Sequence, residues 1–252
     1  MPEPSAHDAF FVGYGKKVPR RLAMFLAAAG AATLGGFAAT GLALGLTTDD
    51  PGDGDYAGQH RYAGIVQRRP YPLLRLPPDQ EHPAPRTLML SGSGKRGVQA
   101  LAAGLDGQMV EANGTLLRRG PLAMLQLDGS AAMKPLQPSS PFSPAAPVPL
   151  GRWRLAGEIC DGKCYSGAMR PGRGLSHKAC ANLCLTGGVP PVFVSTGTIE
   201  GTSFFLLADQ DGGARAEAWR DLVALAVEIE GSVERFDDLL VVHAEAERVR
   251  VL

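Results

Sequence analysis

The sequence has no excess of charge of either sign, few aromatic residues and few cysteines, and each shortage excludes something. Its 25 basic residues balance 25 acidic ones, so no basic surface points to nucleic acid. Aromatic residues make up 6% of the 252, against 32 glycines and 20 prolines; short strands and turns are expected rather than a helical bundle. Neither C-x-x-C nor C-x-x-C-H occurs, so thioredoxin-like exchange and covalent c-type haem attachment both lack their motif. No nucleophile elbow is present either. Ser91 to Gly97, SGSGKRG, fails as a phosphate-binding loop, because Met89 stands where the motif needs glycine and Arg96 where it needs Ser or Thr. It reads as a hairpin turn or helix entry. Asp237 and Asp238 fall in an expected hairpin turn, where solvated residues are the default, and Glu228 and Glu230 alternate on a strand. An enzyme is the weakest of the classes these residues allow.

Charge is missing altogether from Leu22 to Leu46, 25 residues of Ala, Gly, Leu, Phe, Met and Thr. As a helix this run crosses a hydrocarbon core of about 30 Å. Lys16, Lys17, Arg20 and Arg21 precede it and Asp49, Asp50, Asp53 and Asp55 follow. The positive-inside rule then predicts a cytoplasmic head over 1–21, a transmembrane helix over 22–46, and everything after it outside. In a bacterium that is an inner-membrane protein with most of its chain in the periplasm. A cleaved signal peptide, with the Arg20-Arg21 pair as a twin-arginine export signal, ranks second, since such a peptide's apolar region typically runs about 7–15 residues. Small residues recur at four-residue spacing, Ala31/Gly35/Ala39 and Gly41/Gly45, which lets a partner helix approach closely. The expected partners are the lipid bilayer and another membrane protein, with no nucleic acid.

Beyond the span, Tyr62–Gln67 and Thr87–Leu90 read as strands, Val98–Leu105 as a short helix and Gln108–Leu127 as two strands. Residues 135–150 are proline-rich and form an extended linker, dividing a first domain, 57–134, from a second, 151–252. The two halves match. VEANGTLLRRGPLAML aligns with VEIEGSVERFDDLLVV on Gly114 and Gly231, YAGIV at 62–66 with LAGEI at 155–159, and RTLMLSG at 86–92 with SFFLLAD at 203–209. Such ordered matches indicate internal duplication. The expected fold is mainly β with one transmembrane helix: two tandem small β-barrels of the OB type, the second carrying an inserted short helix with cysteines.

All four cysteines lie between Gly157 and Pro191, as Cys160, Cys164, Cys180 and Cys184, with His177 three residues before Cys180. A helix is expected to begin at Ser176 as its N-cap and to stop at Gly187-Gly188. On it, His177, Cys180 and Cys184 share one face. Two readings stay open. In an oxidising compartment four cysteines so close together form two disulfides. Alternatively the four thiolates and the imidazole hold zinc, copper or an iron-sulfur cluster, with Asp161 orienting His177 from behind. Met169 adds a soft donor for copper or merely packs.

The head YGKKVPRR leading into a single span, together with the cysteine segment, resembles bacterial membrane-anchored extracytoplasmic proteins with tandem OB-like domains. Some of these are loosely associated with electron transfer. The resemblance covers Phe10–Arg21 and Gly157–Pro191. It implies an accessory subunit or assembly factor of a membrane redox complex, without a particular reaction. The competing expectation is a non-catalytic interaction module stapled by disulfides.

Overall fold

The computed structural model describes residues 18–47, 52, 54–129, 131–137 and 142–252. It comprises two units, Met1–Asp50 and Pro51–Leu252. In the first, helix α1 (Arg20–Thr47) carries no charge after Arg21 and no proline to interrupt it. Its Arg20–Ala43 segment is long and apolar enough to cross a membrane. The Thr40 hydroxyl donates to the Gly36 carbonyl at 2.9 Å, so this polar group is satisfied within its own helix. Lys16, Lys17, Asp49, Asp50 and Asp53 lie outside the described residues.

The second unit is mainly β and consists of two closed five-strand barrels in tandem. The first contains β1 (Asp55–Gln67), β2 (Leu73–Leu76), β3 (Arg86–Ser91), β4 (Met109–Arg119) and β5 (Leu122–Leu127). A short helix, α2 (Gln99–Ala102), connects β3 to β4, and β6 (Met133–Pro135) adds to β4. The second contains β7 (Val148–Asp161), β8 (Pro191–Ile199), β9 (Thr202–Asp209), β10 (Ala226–Phe236) and β11 (Leu239–Ala244), with helix α3 (Lys178–Thr186) between β7 and β8. A final strand, β12 (Arg250–Val251), adds to β10. In each barrel the first strand pairs with the second and the fourth, the second with the third, and the fourth with the fifth, all antiparallel. The third and fifth close the barrel in parallel.

The duplication extends to single positions. Gly114 faces Leu127 and Gly231 faces Ala244, and at each a Cβ would meet a neighbouring carbonyl oxygen, of Gln126 at 2.1 Å and of His243 at 2.2 Å. Only glycine admits so close a backbone approach. The main departure lies between the first and second strands: residues 68–72 in one barrel, but 162–190 in the other.

Several strands are buried on both faces, and this is why their apolar runs do not alternate. Leu74 and Leu76 of β2 point into the first barrel's interior, while Leu73 joins a separate core between the barrels and Arg75 points the same way. Strands β3, β5, β9 and β11 divide likewise: Met89, Met124, Leu206 and Val241 meet in that shared core, and their neighbours fill one barrel or the other. A solvated strand shows period two; a strand between two cores shows a continuous run. LLRL, which lies between the expected strands Tyr62–Gln67 and Thr87–Leu90, is itself a strand for this reason. Asp237 and Asp238 also depart from the solvated turn expected of them. The Asp237 side chain is 3% exposed and pairs with Arg75, and Asp238 accepts the Thr87 N–H at 2.7 Å.

Candidate metal centre

The site is built from the segment between β7 and β8. Asp161 ends β7 fully buried. Its Oδ1 accepts the Cys164 N–H at 2.8 Å, and its Oδ2 lies 3.0 Å from His177 Nε2. One carboxylate thus fixes both the start of a single π turn, Cys164–Ala168, and the imidazole on the far side of the loop. A 3₁₀ turn, Leu175–His177, leads into α3. Ser176 was expected to cap that helix. It lies inside the 3₁₀ turn instead, and neither the turn nor α3 has a side-chain cap. The other end is closed as the Gly187-Gly188 pair suggested. Gly188 adopts φ +89°, its N–H reaches the Leu185 carbonyl at 2.9 Å, and the Val189 N–H reaches Cys184 at 3.0 Å, the paired bonds of a glycine-terminated helix.

Cys180 and Cys184 are four residues apart and project from the same side of α3; Cys164 comes from the π turn to meet them. Their three sulfurs lie within 4.8 Å of one another, with Cys164 Sγ 4.0 Å from Cys180 and 3.9 Å from Cys184. Cys164 and Cys184 are buried and Cys180 is half-buried. A disulfide needs about 2.05 Å, so the disulfides of the first of the two readings are not formed and all four cysteines are free. Asp161, Cys164 and His177 make a second group of the same size. His177 therefore joins the site through Asp161 and Cys164. Cys160 belongs to neither group, and its thiol points at Glu158 Oε1, 3.6 Å away.

Sequence reasoning missed two lysines. Lys95, from the SGSGKRG loop of the first barrel, places Nζ 2.6 Å from Cys180 Sγ and 3.8 Å from Cys184 Sγ. Lys163 is 4% exposed, and its ammonium donates to the carbonyls of Gly92 and Gly94 in the same loop. The loop also docks on the end of α3: the Gly97 N–H donates to the Gly187 carbonyl at 2.8 Å, and the Gln99 amide to Gly188 at 2.6 Å. What resembled a free hairpin turn is the wall of the site. Glycines flanking a lysine were the available signal, since they allow the backbone to press against another chain segment. Met169 also reaches the cluster, its Sδ 3.8 Å from Cys180 Sγ.

The electrostatics follow from this packing. The hydrogen bond between Cys164 and Cys184 pushes the first thiol's pKa up and pulls the second's down, so of the two Cys184 gives up its proton more readily. Bonding to Cys180 raises the Lys95 pKa, whereas burial lowers that of Lys163. Burial also holds Cys160 protonated, well above the usual thiol range. Converging sulfurs beside fixed cations make a soft, anionic donor set suited to thiophilic metals. Comparison of the chain with protein-family models, with curated proteins and with solved structures finds no match.

Proposed function

We propose that this chain is a membrane-anchored extracytoplasmic accessory or assembly component of a membrane redox complex, and that it binds a metal through Cys164, Cys180 and Cys184. The convergence of three sulfurs from two separate elements carries the reading. Three sulfurs bound at about 2.3 Å to one ion lie about 3.8–4.0 Å apart, which matches the separations of 4.0 and 3.9 Å here. Asp161 and His177 hold the turn that presents Cys164.

Both barrels are read as OB-type. In support, their strands follow the order first, second, third, fifth, fourth, with the third and fifth parallel. In the second barrel the cysteine segment is then an insertion after the first strand. Basic residues before α1 and acidic ones after it support an N-terminus in the cytoplasm and barrels in the periplasm of a bacterial inner membrane. The small-residue face of α1 supports a membrane-protein partner.

The test is elemental analysis with thiol counting and intact mass on the full-length chain, extracted in detergent without reductant. About one metal per chain, with three thiols that become alkylatable only after chelation, is expected. A mass four hydrogens short, with no reactive thiol and no metal, would return the cysteines to a structural role.

A further inference from the structure

Resting on that reading, we infer that the ion is a soft monovalent one, copper(I), held by three thiolates, with Met169 and Cys180 forming the port through which it enters and leaves. Charge is the first argument. Three thiolates, with Asp161 beside Cys164, make a strongly anionic cluster that calls for a cation, and two ammonium groups already stand against it: Lys95 at 2.6 Å from Cys180, and buried Lys163, next to Cys164 in the chain.

Coordination is the second argument. Zinc takes four ligands in structural sites, and among the described residues the nitrogen and oxygen donors grouped with Cys164 are bonded to each other. His177 Nε2 faces Asp161, and Asp161 is shared with the Cys164 N–H. The next donor is the Met169 thioether, a ligand that selects copper(I).

Exposure is the third. Cys164 and Cys184 are buried, whereas Cys180 is half-buried and Met169 is 43% exposed. The most accessible soft donor therefore sits beside the most accessible cysteine of the three. An arriving ion bonds first to Met169 and Cys180, then exchanges the Met169 bond for bonds to Cys184 and Cys164. Thiol protons leave to solvent as the thiolates bind, and no electron is transferred.

The experiment uses the full-length chain in detergent under anaerobic, reducing conditions. Copper(I) is titrated against a coloured copper(I) chelator and zinc(II) against a zinc chelator, and the copper X-ray absorption edge gives the ligand shell. One copper(I) per chain in a shell of three sulfurs is expected. Lys95→Met should weaken copper(I) binding about tenfold or more by removing the nearest compensating charge, with Lys95→Arg recovering most of it. Met169→Leu should leave the three-sulfur shell intact and slow copper(I) transfer to the chelator about tenfold, because sulfur-to-sulfur exchange loses its outer member. A shell containing nitrogen or oxygen, or zinc(II) retained while copper(I) is surrendered, would overturn the copper assignment and leave a metal site. Unchanged transfer in Met169→Leu would overturn the port. If neither copper(I) nor zinc(II) binds, both this inference and the metal reading fail.

Discussion

The Arg75 guanidinium grips the Asp237 carboxylate with two hydrogen bonds, Nε to Oδ2 at 2.6 Å and Nη2 to Oδ1 at 2.9 Å, joining the two barrels. The pair is buried, with side chains 2% and 3% exposed. Thr87 donates to the same carboxylate, and Arg75 also bonds Gln67 and the Ala145 carbonyl. A planar, five-donor cation is needed to hold so many acceptors at once. Asp237→Ala leaves that cation buried and half-paired, so it should cost about 3–5 kcal/mol. Arg75→Met with Asp237→Leu should cost much less, because both charges go together. Denaturant unfolding of the parent protein and the two variants measures this; equal losses in the single and double variants would mean that the pair does not couple the barrels.

The loop that carries Lys95 is held by backbone contact, so its docking should be sensitive to one methyl group. A Cβ on Gly187 would meet the Lys95 carbonyl oxygen, and one on Gly97 would meet that of Gly188 at 2.1 Å. Neither obstacle is the end of a flexible side chain. Gly187→Ala is expected to lift the loop from α3, to remove Lys95 from Cys180, and to raise the alkylation rate of Cys180 several-fold while both barrels stay folded. Alkylation followed by mass spectrometry reads the first effect and far-UV circular dichroism the second. An unchanged rate would show that the loop does not cover the thiols.

Alkaline pH should loosen the seam through Tyr71. This residue is 1% exposed in the shared core, and burial raises its pKa well above the ordinary 10.0. A raised folded-state pKa means that the unfolded chain loses its proton first. The contribution is complete below pH 10 and falls as pH rises beyond it, by up to about 1.4 kcal/mol per pH unit. Tyr71→Phe removes the titration and should flatten the alkaline limb of stability against pH. If both proteins decline with the same slope above pH 10, Tyr71 does not carry the effect.

The sequence disclosed elements wherever a local pattern was unambiguous. The uncharged run became α1, the glycine pair ended α3, and the matched strands around Gly114 and Gly231 share one register. It did not disclose β2 or β8, because Leu73–Leu76 and Pro191–Ile199 take their burial from partners distant in the chain. The bond from Asp161 to His177 was legible as proximity within one segment. Lys95 was not, since the thiol it contacts, that of Cys180, lies 85 positions further along the chain. Asp237 misled for a related reason: turn residues are solvated by default, and this turn is covered by the other barrel.

Sulfur-by-sulfur substitution separates the cysteines that converge from the one that does not. Cys160 is 1% exposed, sits outside both clusters and is kept protonated by burial. Cys160→Ala should therefore leave metal stoichiometry unchanged and cost about 1 kcal/mol of stability, the scale of a small buried deletion. Cys164→Ser keeps nearly the same volume and the N–H bond to Asp161, yet removes the sulfur that touches both others. It should abolish stoichiometric binding with little change in unfolding midpoint of the metal-free chain. The contrast is informative because the two residues lie only one turn apart in sequence, so general damage to the segment would affect both. Metal lost equally from the two variants would mean that the ligand set includes Cys160 and that the three-sulfur site is drawn too narrowly.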